Sequence, residues 1–121
     1  MSKNILFINS SWEQEALVKR IYDQGHNIVA LSKNIPTYKK YLKKHIPCDE
    51  SEISSIIKIA KLFEVESVIS DNCDYSLLTS EIISDILDLP SLGIESARIS
   101  NNKYLQRVLC KKAAINQPKF E

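Results

Sequence analysis

The chain has 121 residues, 44% hydrophobic and 26% charged, enough for one globular domain with a real core and too few for two. Sixteen Lys+Arg against fifteen Asp+Glu leave a formal charge of +1, which argues against a broad electrostatic surface for nucleic acid or anionic lipid. Cys48, Cys73 and Cys110 lie far apart and form no CxxC or Cys/His cluster, so no disulfide framework or structural zinc is expected, and reduced thiols in a cytoplasmic compartment fit best.

The N-terminus, MSKNILFINS, holds only four consecutive apolar residues, Ile5 to Ile8, well short of a signal-peptide core or a membrane span, so export is not expected. Bounded by polar residues, that run instead predicts a strand buried on both faces. Ser10 and Ser11, with Glu13 and Gln14 each three residues later, offer two capping boxes. Leu17, Val18, Ile21 and Tyr22 then form a helical stripe that stops at Gly25, a left-handed helix end. Asn27 to Ser32 is a second buried strand, and the three elements make a right-handed βαβ unit.

From Lys33 to His45 the chain is strongly basic, with Lys33, Lys39, Lys40, Lys43 and Lys44, which could hold a phosphate group but more simply read as a solvated face. Ile46-Pro47-Cys48 is a candidate short strand. Ile53, Ile56, Ile57, Ala60 and Phe63 mark the clearest helix, with Asp49 and Ser51 as candidate caps. Val65 to Ser70 predicts a strand. The loop Asp71-Asn72-Cys73-Asp74 opens a helix expected to turn Leu78, Ile82 and Ile86 to the core and to end at Leu89-Pro90. A turn and a small strand are expected over Pro90 to Ile94. Ser100 is the expected cap of a last helix with Leu105, Val108, Leu109 and Ala113 on its inner side. Alternating strands and helices predict a three-layer, doubly wound, Rossmann-like α/β domain with a mostly parallel sheet. Ligands of such sheets sit beyond the carboxyl ends of the strands, here the loops Asn9 to Ser11, Ser32-Lys33 and Ser70 to Asp74.

No complete catalytic constellation stands in these loops. Asn9-Ser10-Ser11-Trp12 has no glycine for a pyrophosphate, which argues against NAD, and no acid for a phospho-receiver site. Ser10 and Ser11 offer hydroxyls and amides to an anion, or simply cap the helix. Asp71 and Asp74 suit a cation or ammonium group, or a helix cap. His26 reads as a helix-dipole partner, and His45 as neither ligand nor base. Cys73 has no histidine near it in sequence to make it a nucleophile. No catalytic or metal-ligating residue is assigned.

The C-terminal third carries a pattern: Leu87-Asp88-Leu89-Pro90-Ser91-Leu92-Gly93, then Asn102-Lys103, a helix from Tyr104 to Ala113, and Ile115-Asn116-Gln117-Pro118-Lys119-Phe120. Together with Gln24-Gly25-His26 and the strand Asn27 to Ser32, this order resembles the N-terminal, pre-ATP-grasp domain of ATP-grasp ligases such as biotin carboxylase, carbamoyl-phosphate synthase and the carboxylate–amine ligases. The family's "GLP" segment, its "DK" or "NK" pair and its "GxPxP" turn each have a counterpart. Ala114 stands where the family has glycine, the first proline of the turn is missing, and the first loop is Ser-Ser rather than glycine-rich. The resemblance implies residues 1–95 as the α/β domain and 96–121 as a connecting helix and linker to an ATP-grasp domain downstream.

It also implies Lys103 as a nucleotide-phosphate contact, and Ser10, Ser11, Asp71, Asn72 and Asp74 as loops on the substrate side. ATP and magnesium would serve the full-length enzyme, where a carboxylate passes through an acylphosphate to an amine or ammonia. This stretch alone is expected to be inactive and to bind neither. A small carboxylate, a nitrogen nucleophile, the downstream domain and a second copy of the chain are the expected partners, with no nucleic acid and no membrane. The rival expectation is a self-contained α/β binding or dimerisation module. A small nucleotide- or sugar-binding enzyme is weaker, for want of a glycine-rich turn and a placed base.

Overall fold

A computed structural model describes residues 1–71 and 73–119. In chain order the elements are β1 (Asn4–Ile8), α1 (Glu15–Asp23), β2 (Asn27–Ser32), β3 (Lys44–Pro47), α2 (Ile53–Leu62), β4 (Ser67–Ile69), α3 (Asp74–Ile86), α4 (Ile94–Ser100) and α5 (Lys103–Lys112). Short 3-10 turns at Trp12–Gln14 and Lys39–Tyr41 complete them. The four strands form one sheet in the order β3-β2-β1-β4, and every pairing is parallel.

Alternation along the strands builds two cores. Leu6, Ile8, Val29 and Leu31 face one side, where Ile56 and Ala60 of α2 and Ile83 of α3 cover them. Ile5, Phe7, Ile28 and Ala30 face the other, against Val18 and Ile21 of α1 and Tyr38. The α2 stripe of Ile53, Ile56, Ile57, Ala60 and Phe63 meets the first core as its spacing predicts. Neither Asp49 nor Ser51 caps that helix; Glu52 stands at the cap without a side-chain bond, and Ser51 Oγ donates to the Asp49 carboxylate instead.

β3 begins earlier than the apolar run Ile46 to Cys48 suggests and takes in Lys44 and His45 from the basic segment. Among the described residues it pairs with β2 alone and so forms an edge of the sheet, where lysine and Pro47 are tolerated. The rest of that segment is not all solvated, because Pro36 and Tyr38 are buried.

The largest departure lies in α3. Its buried residues are Ser76, Thr79, Ser80, Glu81, Ile83 and Ser84, whereas Leu78 and Ile82 are half-buried and Ile86 is 55% exposed. Small side chains allow the helix to lie close to β4 and α2. Their hydroxyls find partners: Ser80 Oγ donates to the Leu77 carbonyl at 2.8 Å and Ser76 Oγ to the Cys73 carbonyl at 3.2 Å, while Thr79 Oγ1 reaches the Glu50 carbonyl outside the helix. A hydrophobicity stripe cannot see that solution.

No strand forms between Pro90 and Ile94. The buried Glu81 carboxylate gathers that turn, accepting from Leu92 N at 2.8 Å, Gly93 N at 3.2 Å and the Ser91 hydroxyl, and Ile94 starts α4. Ser100 is the last residue of α4, and its hydroxyl bonds back to the Ser96 carbonyl. Asn102 caps α5 in its place, its Oδ1 accepting from Leu105 N at 3.0 Å. No α5 residue is fully buried: Leu105 and Val108 are half-exposed, and Leu109 and Ala113 exposed.

Four helices end through a left-handed residue, Gly25, Glu64, Asp88 and Ala114, with φ of 87°, 50°, 55° and 56°. At each, two hydrogen bonds close the last turn, as in Val65 N to Ala60 O and Glu64 N to Lys61 O. Ala114 therefore keeps the backbone that glycine would favour.

Replacing Glu81 with alanine should destabilise the chain by about 2 kcal/mol, because backbone donors of the turn lose a charged acceptor. Urea unfolding would measure it, and Glu81→Gln, which keeps an acceptor oxygen, should recover part of the loss.

Candidate functional site

At the carboxyl end of the sheet, an open cleft of about 480 Å³ lies over β1, β2 and β3. Asn9 to Trp12, Ser32 to Thr37, and Asp49 with Glu50 line it. Each segment is the loop that follows a strand, so the parallel sheet itself brings them together. The volume falls in the range of small-molecule sites. Asn9 takes a left-handed backbone at the turn out of β1, with φ of 62°.

The serines of the first loop are held from within. Ser10 is 3% exposed and its hydroxyl donates to Ser32 Oγ at 3.2 Å, while its amide donates to the Leu31 carbonyl. Ser32 Oγ donates to the Asn34 carbonyl at 2.7 Å and lies 2.8 Å from His45 Nε2. The Ser11 amide and hydroxyl both donate to Gln14 Oε1, at 2.8 and 2.6 Å, which forms the second of the two capping boxes. Gln14, 1% exposed, turns its Nε2 to the Asp71 carbonyl at 2.6 Å. That amide closes the gap between the loops after β1 and β4, where the strand order reverses, and leaves the open cleft on the β2 side. Tyr38 donates its phenol to the Ser11 carbonyl at 2.8 Å, and burial raises the pKa of that phenol.

Charge enters from β3. Lys33 Nζ stands 3.7 Å from Asp49 Oδ1. The Ser51 hydroxyl, with Lys33 behind it, holds the Asp49 carboxyl below its ordinary range. Cys48 lies beneath this loop, its thiol donating to Glu52 Oε2 at 3.1 Å. Burial, reinforced by Glu52, pushes that thiol up to about 12.

The residues that sequence singled out are spread along this edge. Ser10 and Ser11 line the cleft; Asp71 and Asp74 do not. Neither aspartate caps α3: Cys73 holds the cap position without a side-chain bond, and Asp74 sits in the first turn, where its charge suits the helix dipole. Asn72 lies outside the described residues. Lys103 is exposed at the first position of α5. The bond from Asn101 Nδ2 to the Asp74 carbonyl, 2.7 Å, brings the start of α5 beside the loop after β4. His26 is no dipole partner, for its Nδ1 accepts from the Lys3 amide at 3.2 Å. Sequence reasoning missed the contribution of Asn34 to Thr37, Asp49 and Glu50, because their meeting with Ser10 depends on strand order. His45, set aside in sequence, belongs to the hydroxyl network under the cleft.

Cys48 yields a measurable consequence. Its neutral thiol is favoured in the fold, so its contribution to stability is complete below about pH 9 and is lost as pH rises towards about 12. Stability of the native chain should fall as pH rises above about 9 in urea titrations, and Cys48→Ala should flatten that fall. Half-exposed Cys73 and Cys110 should react with iodoacetamide at pH 8 at least about tenfold faster than Cys48.

No family model matches the sequence, and no curated protein sequence matches it. Solved structures do match the fold. Phosphoribosylglycinamide synthetase from Anaerococcus prevotii superposes with a TM-score of 0.83 at 18% identity, over 97% of this chain and 30% of that one. L-amino acid ligase from Bacillus licheniformis gives 0.87 at 16% identity, over 98% and 32%. N5-carboxyaminoimidazole synthetase from Staphylococcus aureus, complexed with ADP, gives 0.75 at 10% identity, over 92% and 30%. The chain thus spans about a third of the length of each and has the fold of their N-terminal domain, the architecture that its sequence resemblance implied. Among the described residues no helix is long and apolar enough to cross a membrane.

Proposed function

We propose that this chain is the N-terminal, substrate-side domain of a cytoplasmic ATP-grasp ligase that joins a carboxylate to an amine or ammonia, or carboxylates a nitrogen. The observation that carries this reading is the likeness of fold, over nearly the whole chain, to enzymes named as synthetases or ligases, one of them solved with ADP. A carboxylate oxygen takes the terminal phosphoryl group of ATP and ADP leaves. The nitrogen then attacks the acyl carbon, phosphate departs, and the nitrogen gives up a proton. ATP and magnesium supply that activation in the full-length enzyme.

This chain's share is positional. Its cleft borders the substrate, and the Gln14 and Asn101 contacts connect that cleft with the start of α5. Lys103 there supplies a point charge suited to a nucleotide phosphate. The magnesium ligands are assigned to the downstream domain. Residues 96–121 act as the connector.

The test is made on the reading frame extended beyond Glu121. The extended protein should release ADP only when carboxylate and amine are both present, and Lys103→Met should lower kcat/KM for ATP by about tenfold. An extended frame with no carboxylate-dependent ADP release overturns the reading.

The exposed apolar residues of the last segment, Tyr104, Leu109 and Ile115, favour a second reading, a self-contained module that docks or dimerises through α5. Deleting residues 100–121 separates the two. A connector should leave the sheet folded and the oligomeric state unchanged, whereas a dimerisation helix should dissociate or unfold on its removal, as sedimentation and circular dichroism would record.

A further inference from the structure

We infer that the cleft selects a substrate bearing a protonated amine and disfavours one bearing a phosphate; this rests on the reading of the cleft as the substrate side of a ligase. A phosphate needs several N–H or O–H donors aimed at one point. The serine loop has them in sequence but has already used them. A hydroxyl has one proton to give. Ser10 gives its proton to Ser32, Ser32 to the Asn34 carbonyl, and Ser11 to Gln14. The amides of Ser10 and Ser11 are likewise bound, to the Leu31 carbonyl and to Gln14 Oε1.

The charges point the same way. Among the described residues, Asp49 and Glu50 line the cleft against one cation, Lys33, and that ammonium lies 3.7 Å from Asp49. The lining therefore carries a surplus negative charge, which attracts an ammonium group and repels a phosphate dianion. Trp12, 78% exposed, also lines the cleft, and an indole is a ring type to which an ammonium is attracted. Glu50 is held through its backbone, with Thr79 Oγ1 donating to its carbonyl at 3.0 Å, so its carboxylate can be altered without removing that contact. The substrate class that fits is an amino acid or similar small amine rather than a phosphorylated sugar.

The experiment titrates the isotopically labelled chain by NMR with L-alaninamide, its uncharged N-acetyl derivative, and ribose 5-phosphate. L-alaninamide should shift the amides of Asn9 to Trp12, Ser32 to Thr37 and Glu50 saturably, while the other two should not. Glu50→Gln should weaken L-alaninamide at least about fivefold with the remaining spectrum unchanged. Saturable binding of ribose 5-phosphate at the same amides overturns the inference. So does L-alaninamide binding that is absent, shared by the acetylated probe, or indifferent to Glu50→Gln. None of these outcomes bears on ADP release by the extended protein, so failure here leaves the ligase reading standing, and failure there leaves the measured preference of the cleft standing.

Discussion

Everything in this fold is referred to β1. It is paired in parallel on both edges, with β2 and with β4, and it is buried on both faces, Leu6 and Ile8 to one core and Ile5 and Phe7 to the other. A strand so placed has no free backbone edge over its paired length and no solvated face. Its five residues must be apolar almost throughout, and its neighbours' crossovers must put helices on both sides. The helices follow from that requirement, with α1 covering one face and α2 with α3 the other. The chain leaves β1 at Asn9, in a left-handed turn, directly into the cleft.

The cleft owes its character to hydrogen bonds already made. Gln14 is the least obvious participant, a buried amide that holds the Ser11 loop with its oxygen and the Asp71 carbonyl with its nitrogen. In a fold of this kind the reversal of strand order beside β1 is the usual ligand crevice. Here a side chain occupies it, and the open space shifts to the β2 side, where the acids after β3 and the loop after β2 give it its charge. Serines that look like anion donors in sequence serve as internal struts. The same loop chemistry can thus support opposite ligand preferences, depending on where its few protons point.

The α4–α5 region obeys a different logic. Glu81 organises the turn into α4, and Asn101 ties the end of α4 to α3, so the region is fastened by polar contacts more than by burial. α5 then leaves several apolar residues uncovered. A helix fastened at its start and open along its length suits an element that another surface completes.

Sequence alone determined the α/β class, the mostly parallel sheet, the α2 stripe, the left-handed end at Gly25 and a capping box in the loop after β1, though not which of two. Each depends on periodicity or on residues within one turn, and a local pattern suffices for them. Only the tertiary structure decided which face of α3 is inside, since buried serines bonded to their own helix leave no hydrophobic signal. It also decided that β3 begins in the basic segment, because an edge strand needs only one apolar face. The composition of the cleft was likewise hidden, because Asp49 and Glu50 meet Ser10 and Ser32 only through the order in which the strands pair. Local spacing records what a residue can do; where its protons and charges are directed depends on neighbours far away in the chain.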